Sequence, residues 1–128
     1  MRAEEKESYV ELQITPGNQR SQLRFPDGVA VEAARRNGGL EKFMIWDEAF
    51  HSKTWIENGQ WQVYAEVPSA LVRGSDESIE NMRWRFSFGR YDYTRGRERP
   101  VISSTSPHAK CDFHRQQEWG VMAFNNSL

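Results

Sequence analysis

The signal that most constrains this chain is its punctuation. Pro16-Gly17-Asn18, Pro26-Asp27-Gly28, Arg36-Asn37-Gly38-Gly39 and Asn58-Gly59 recur along its first half. Proline presets φ, glycine and asparagine tolerate positive φ, and aspartate closes turns through its side chain. The strand-like runs that these turns punctuate are five to eight residues long, the length of strands. Tyr9 to Ile14 alternates, with Val10, Leu12 and Ile14 on one face and Tyr9, Glu11 and Gln13 on the other. Ser21 to Phe25, Val29 to Ala34 and Lys42 to Trp46 read as three further strands. Lys53 to Glu57 and Gln60 to Val67 flank Asn58-Gly59, a two-residue hairpin signal. Asp47 to Ser52 reads as a loop or one helical turn, Ser69 to Val72 as a short helical turn, and Arg73 to Asn81 as a polar loop.

The second half opens on an aromatic strand. Met82 to Arg90 alternates, with Trp84, Phe86 and Phe88 on one face and arginines and a serine on the other, which predicts a half-buried antiparallel strand. A polar loop, Tyr91 to Arg99, leads to a short strand, Val101 to Thr105, and a turn at Ser106-Pro107. The segment Asp112-Phe113-His114-Arg115 precedes a last strand, Trp119 to Phe124. About nine short strands with almost no helix predict an all-β fold, an antiparallel β-sandwich.

Composition narrows the function classes. At 128 residues the chain is expected to form one domain, residues 8–126, behind a loose charged start, residues 1–7. Net charge is −1, which gives no reason to expect nucleic acid or an anionic membrane as partner. A single cysteine, Cys111, excludes an intrachain disulfide framework. No apolar run is long enough to span a membrane. The charged start lacks the apolar region of a signal peptide, so the chain is expected to be intracellular, or extracellular or periplasmic as part of a longer exported one.

Four stretches, in order, resemble the type 9 family of carbohydrate-binding modules, within the DOMON-like group. They are Tyr9-Val10-Glu11-Leu12, then Leu23-Arg24-Phe25 with Gly28 and Glu32-Ala33-Ala34, then Gly59-Gln60-Trp61-Gln62-Val63-Tyr64-Ala65-Glu66-Val67-Pro68, and finally Asp112-Phe113-His114-Arg115 with Trp119-Gly120 and Phe124. The resemblance implies a jelly-roll-like sandwich that docks a saccharide without catalysis, as an accessory module beside an attached enzyme domain or a partner chain; the alternative is a β-sandwich interaction domain that has lost its sugar contacts. Such a site needs an aromatic platform for sugar C–H faces and planar polar groups for hydroxyls. The family's contacts fall on Glu11, Arg24, Ser87, Arg99, Lys110 and Phe113, with Phe113 as the platform. The chain departs from the family in three respects. The family's first strands are missing, which leaves a sheet edge unpaired and open to association. Its opposing Trp falls at Glu5, and Thr105 and Gln116 stand where the family has Trp and Pro.

Other readings compete. Glu11 and Arg24, each on the polar face of its strand, would form a cross-strand ion pair. The arginines between Arg83 and Arg99 read as a solvated face and loop, or with Tyr91 and Tyr93 as a nucleic-acid platform. Trp46, Trp61 and Trp84 read as core or hairpin packing, and Trp55 as an additional surface aromatic. His108, Asp112 and His114 lie close enough in sequence to suggest zinc or calcium, against capping and hydrogen-bonding roles. No cofactor is expected, although a structural calcium ion would suit the group. Glycosidase chemistry would need two carboxylates across a cleft, with Glu11, Asp47, Glu48 and Glu66 as candidates. Haem would need an axial ligand from Met44, Met82, Met122, His51 or His114.

Overall fold

The computed structural model describes residues 1–47, 50–73, 79, 82–110 and 112–124. Nine strands dominate it: β1 (Arg2–Ala3), β2 (Tyr9–Ile14), β3 (Arg20–Phe25), β4 (His51–Glu57), β5 (Gln60–Glu66), β6 (Arg83–Phe86), β7 (Gly89–Asp92), β8 (Val101–Ser104) and β9 (Gly120–Ala123). Every pairing is antiparallel, in one three-stranded sheet (β1-β6-β9) and three two-stranded ones (β2-β3, β4-β5, β7-β8). The chain is thus mainly strand, as its punctuation predicts. The sheets are nonetheless small and do not form a clear sandwich.

Several elements form where the local chemistry requires them. Asn58 and Gly59 both adopt positive φ, 51° and 75°, and join β4 to β5 in register from Glu57↔Gln60 to His51↔Glu66. Ser69–Arg73 forms the short helix α2, one residue longer than the expected turn.

Three expectations need correction. Val29 to Ala34 is not a strand but part of α1 (Gly28–Asn37). Asp27 caps it, its Oδ1 accepting the Ala30 N–H at 2.7 Å. The buried Val31 and Ala34 lie three residues apart on its inner face, and Glu32 pairs with Arg36 one turn on at 3.0 Å. Val29, which a strand would have placed beside Val31, is 78% exposed. Likewise Lys42 to Trp46 is no strand. Leu40–Phe43 forms a 3-10 turn, and only Met44 bridges to Leu23, with the Ile45 N–H donating to the Gln22 carbonyl. Trp46 is exposed rather than packed. Finally, Met82 to Arg90 is two strands in two sheets. Trp84 is buried and Phe86 half-buried, but Phe88 is exposed, because both backbone groups of Phe88 bond Thr105 and the chain turns to pair β7 with β8.

The charged start is tied in rather than loose. Ala3 pairs with Trp84, and the Glu4 carboxylate lies 2.9 Å from Arg83 and 2.6 Å from Arg85. Residues 74–78, 80 and 81 of the expected polar loop lie outside the described residues, as does Cys111.

Both faces of the β2–β3 sheet are covered. On one, Tyr9, Leu23 and Phe25 pack with Val31 of α1 and with Trp119. On the other, Val10 packs with Phe50 and Leu71, bordered by Leu12, Ile14 and Ile45. This two-sided burial gives the fold its centre, and it decides which side chains remain free to meet a ligand.

Candidate ligand cleft

The edge of β2, the start of β7, the β4–β5 hairpin and the segment after β8 enclose a cleft of about 770 Å³, the size of small-ligand sites in general. Its aromatic lining comes from separate parts of the chain: Tyr9 from β2, Trp61 from β5, Tyr91 and Tyr93 from β7 and the residues after it, and Phe113, His114 and Trp119 from the final segment. Its polar lining includes Glu11, Gln13, Ser87, Arg90 and Asp92.

Phe113 is presented by an irregular segment that a polar network holds in place. The Trp119 indole N–H donates to the Phe113 carbonyl at 2.8 Å. Glu118 takes the Arg115 guanidinium on one oxygen, and its other oxygen accepts from the Ala109 N–H and meets His108, both at 3.2 Å. The Arg115 guanidinium holds the Glu118 carboxyl at about 2, well below the usual carboxylate value. The Phe113 ring stands edge-on to Tyr91 at 5.2 Å and lies against Gly89, where a Cβ would approach it to 2.7 Å. Only glycine permits this approach, since any side chain at 89 would occupy the space of the ring.

One hydrogen bond and a longer charge contact link three lining residues. Tyr9 Oη is 2.6 Å from His114 Nδ1, and His114 Nε2 is 3.6 Å from Glu11 Oε2. With the imidazole neutral, the tyrosine O–H donates to Nδ1 and the ring proton sits on Nε2, toward the carboxylate. Burial depresses the His114 pKa, opposed by Glu11, with Arg35, Asp112 and Glu32 as the other charges acting on it. Burial likewise raises the Tyr9 phenol. The unfolded chain therefore binds a proton near the ordinary histidine value of about 6.5 while the native chain does not. The resulting stability is fully present above that pH and is lost as pH falls toward the lower native value. The melting midpoint is expected to drop between pH 7.5 and pH 5.5, where the Met1 amine, lowered by burial from 8.0 to about 5, contributes as well, and His114→Gln is expected to make that slope shallower. An unchanged slope in the variant would place the pH sensitivity elsewhere.

Of the six residues expected to contact a saccharide, three meet here. Glu11, Ser87 and Phe113 line the cleft. Arg24 does not, because its guanidinium donates to the Leu71 carbonyl at 2.7 Å. Nor does it pair with Glu11: the register sets Val10 against Arg24 and Glu11 against Leu23, so the two charges lie on opposite faces. Arg99 and Lys110 are exposed and outside the lining.

Trp61, expected in the core, is half-buried in the cleft wall, and its buried indole N–H has no acceptor among the described residues. Tyr91, Tyr93, Arg90 and His114 are the lining residues that sequence reasoning assigned elsewhere. Trp55 is exposed, as expected, but outside the lining. Glu11 is the one candidate glycosidase carboxylate in the lining. Asp47 and Glu66 are outside it, and Glu48 lies outside the described residues. His108, Asp112 and His114 do not converge on a metal position. His108 meets Glu118, Asp112 pairs with Arg35 at 3.5 Å, and His114 bonds Tyr9. The Tyr9 contact also occupies one of the nitrogens that haem would need. Comparisons with known proteins add nothing to this geometry: no family model, no curated protein and no solved structure matches the chain.

Proposed function

We propose that the protein is a non-catalytic carbohydrate-binding module, built on the jelly-roll-like plan of the type 9 family and docking a saccharide in the aromatic cleft. One observation carries the reading: four aromatic side chains, Trp61, Tyr91, Tyr93 and Phe113, share one cleft with the carboxylates Glu11 and Asp92 and with Gln13, Ser87 and Arg90. Apolar C–H faces of a pyranose pack on such rings, and its hydroxyls bond carboxylate, amide and guanidinium groups at the rim. The Trp61 indole N–H adds a donor that lacks a protein acceptor among the described residues. Phe113 and Trp61 act as platforms, and Glu11 accepts from hydroxyls. Arg90, over the Trp61 ring at 5.9 Å and paired with Asp92 at 2.8 Å, supplies a guanidinium at the rim in place of the expected contacts Arg24 and Arg99.

The test is a thermal-shift screen against monosaccharides, β-linked oligosaccharides and calcium. A ligand that binds only the native state raises the midpoint by mass action. A saccharide-dependent rise is expected, and Phe113→Ala is expected to abolish it. A flat response from a protein that melts cooperatively would reject the reading. A rise that survives both Phe113→Ala and Trp61→Ala would reject the site.

A further inference from the structure

Strand β2 leaves part of one edge unpaired. Val10 exchanges both backbone bonds with Met1, at 2.6 and 2.9 Å, so its N–H and C=O point away from β3. Orientation alternates along an antiparallel strand, so Leu12 and Ile14 present theirs to the same side. The register agrees, because Gln22, opposite Leu12, turns its carbonyl outward to the Ile45 N–H. Among the described residues, nothing bonds the N–H or C=O of Leu12 or Ile14. Both residues are half-buried and line the cleft. Four oriented backbone groups on a strand edge are the complement of an extended peptide.

We infer that this edge takes an extended segment of a partner protein, added antiparallel to β2 and continuing the line that Met1 begins beside Val10. The inference does not rest on the saccharide reading, since it uses main chain on the β2 wall and not the aromatic wall. The side chains across the edge specify the segment. Residues opposite Leu12 and Ile14 project to the face holding Phe50 and Leu71 and are apolar. The residue between them, opposite Gln13, projects to the face of Glu11 and is basic. The partner sequence is therefore apolar–basic–apolar. A second copy of this chain fits less well, because its own β2 offers Leu12-Gln13-Ile14 and sets a neutral amide where the acidic face calls for a cation.

The probe is the synthetic peptide acetyl-Thr-Val-Lys-Val-Thr-amide, added to the whole isotopically labelled chain. Hydrogen exchange at the Leu12 and Ile14 amides is expected to slow by about tenfold or more at saturation, the effect of one new main-chain bond each. N-methylation of both valines, whose N–H groups face the edge, is expected to abolish the effect. N-methylation of the lysine, whose N–H faces away, is expected to leave it intact, and replacing that lysine by glutamate is expected to weaken binding severalfold. Absence of protection, or equal sensitivity to all N-methylations, would overturn the inference. So would protection that needs no peptide and rises with protein concentration, which would give the edge to a second copy. Loss of saccharide binding without loss of peptide binding would count against the earlier reading alone.

Discussion

Replacing Phe25 by alanine is expected to destabilise the fold by about 3–5 kcal/mol, the cost of emptying a phenylalanine site in a packed core. Phe25 is 1% exposed and central to the larger cluster. Its ring meets Tyr9 at 5.2 Å, Phe43 at 5.0 Å and His114 at 5.9 Å, so it touches β2, the 3-10 turn and the final segment at once. These parts come from distant stretches of chain and have few routes by which to collapse into the void. For a domain of this size the midpoint would fall by roughly 10–20 °C. Phe25→Leu keeps much of the volume and is expected to cost about 1–1.5 kcal/mol. Equilibrium urea unfolding with an unchanged m-value is the measurement. A loss below about 1 kcal/mol for the alanine variant would mean that the site refills and that the cluster is not the centre of the fold.

The same cluster explains what the sequence could and could not disclose. Alternation in Tyr9 to Ile14 located β2 to the residue, and Asn58-Gly59 located the hairpin, because both signals are local. Alternation also suggested that each strand has one apolar and one polar face, and there it misled. The sheet is covered on both sides, so the nominally polar face of β2 (Tyr9, Glu11) lies with the apolar face of β3 (Leu23, Phe25). Two residues that each looked polar on its own strand, Glu11 and Arg24, therefore ended on opposite faces. Glu11 lines the cleft, whereas Arg24 bonds a carbonyl of α2. Helix α1 was missed for a related reason: Pro26-Asp27-Gly28 reads as a turn until Asp27 is taken as a cap and Val31 and Ala34 are counted at helical spacing. Trp61 and Tyr91 reach the cleft from two separate sheets, a juxtaposition that no window of sequence contains.

Gly89→Ala is expected to weaken the proposed saccharide binding while leaving the fold standing. A Cβ at position 89 would lie 2.7 to 2.9 Å from three atoms of the Phe113 ring, closer than carbon atoms can sit. The ring is the far end of a rotatable side chain, so it swings away, and the contact with Tyr91 is lost rather than the backbone pairing of β7 with β8. An aromatic pair of this kind is worth about 0.5–1.5 kcal/mol, which sets the stability loss. The displaced ring no longer offers its face to the cleft, and affinity for the ligand found in the thermal-shift screen is expected to fall by about tenfold or more, equivalent to about 1.4 kcal/mol. Gly120→Ala is the matched control. It too places a methyl group on a strand glycine beside a phenylalanine, but at 3.7 Å from Phe86, an ordinary contact, and away from the cleft. Titration of both variants by calorimetry, with their urea unfolding curves, separates the outcomes. If Gly89→Ala and Gly120→Ala bind equally well, Phe113 is packing against its neighbours and not serving a ligand. If Gly89→Ala alone loses affinity with its cooperative melt intact, the close approach of glycine and ring is what shapes the cleft.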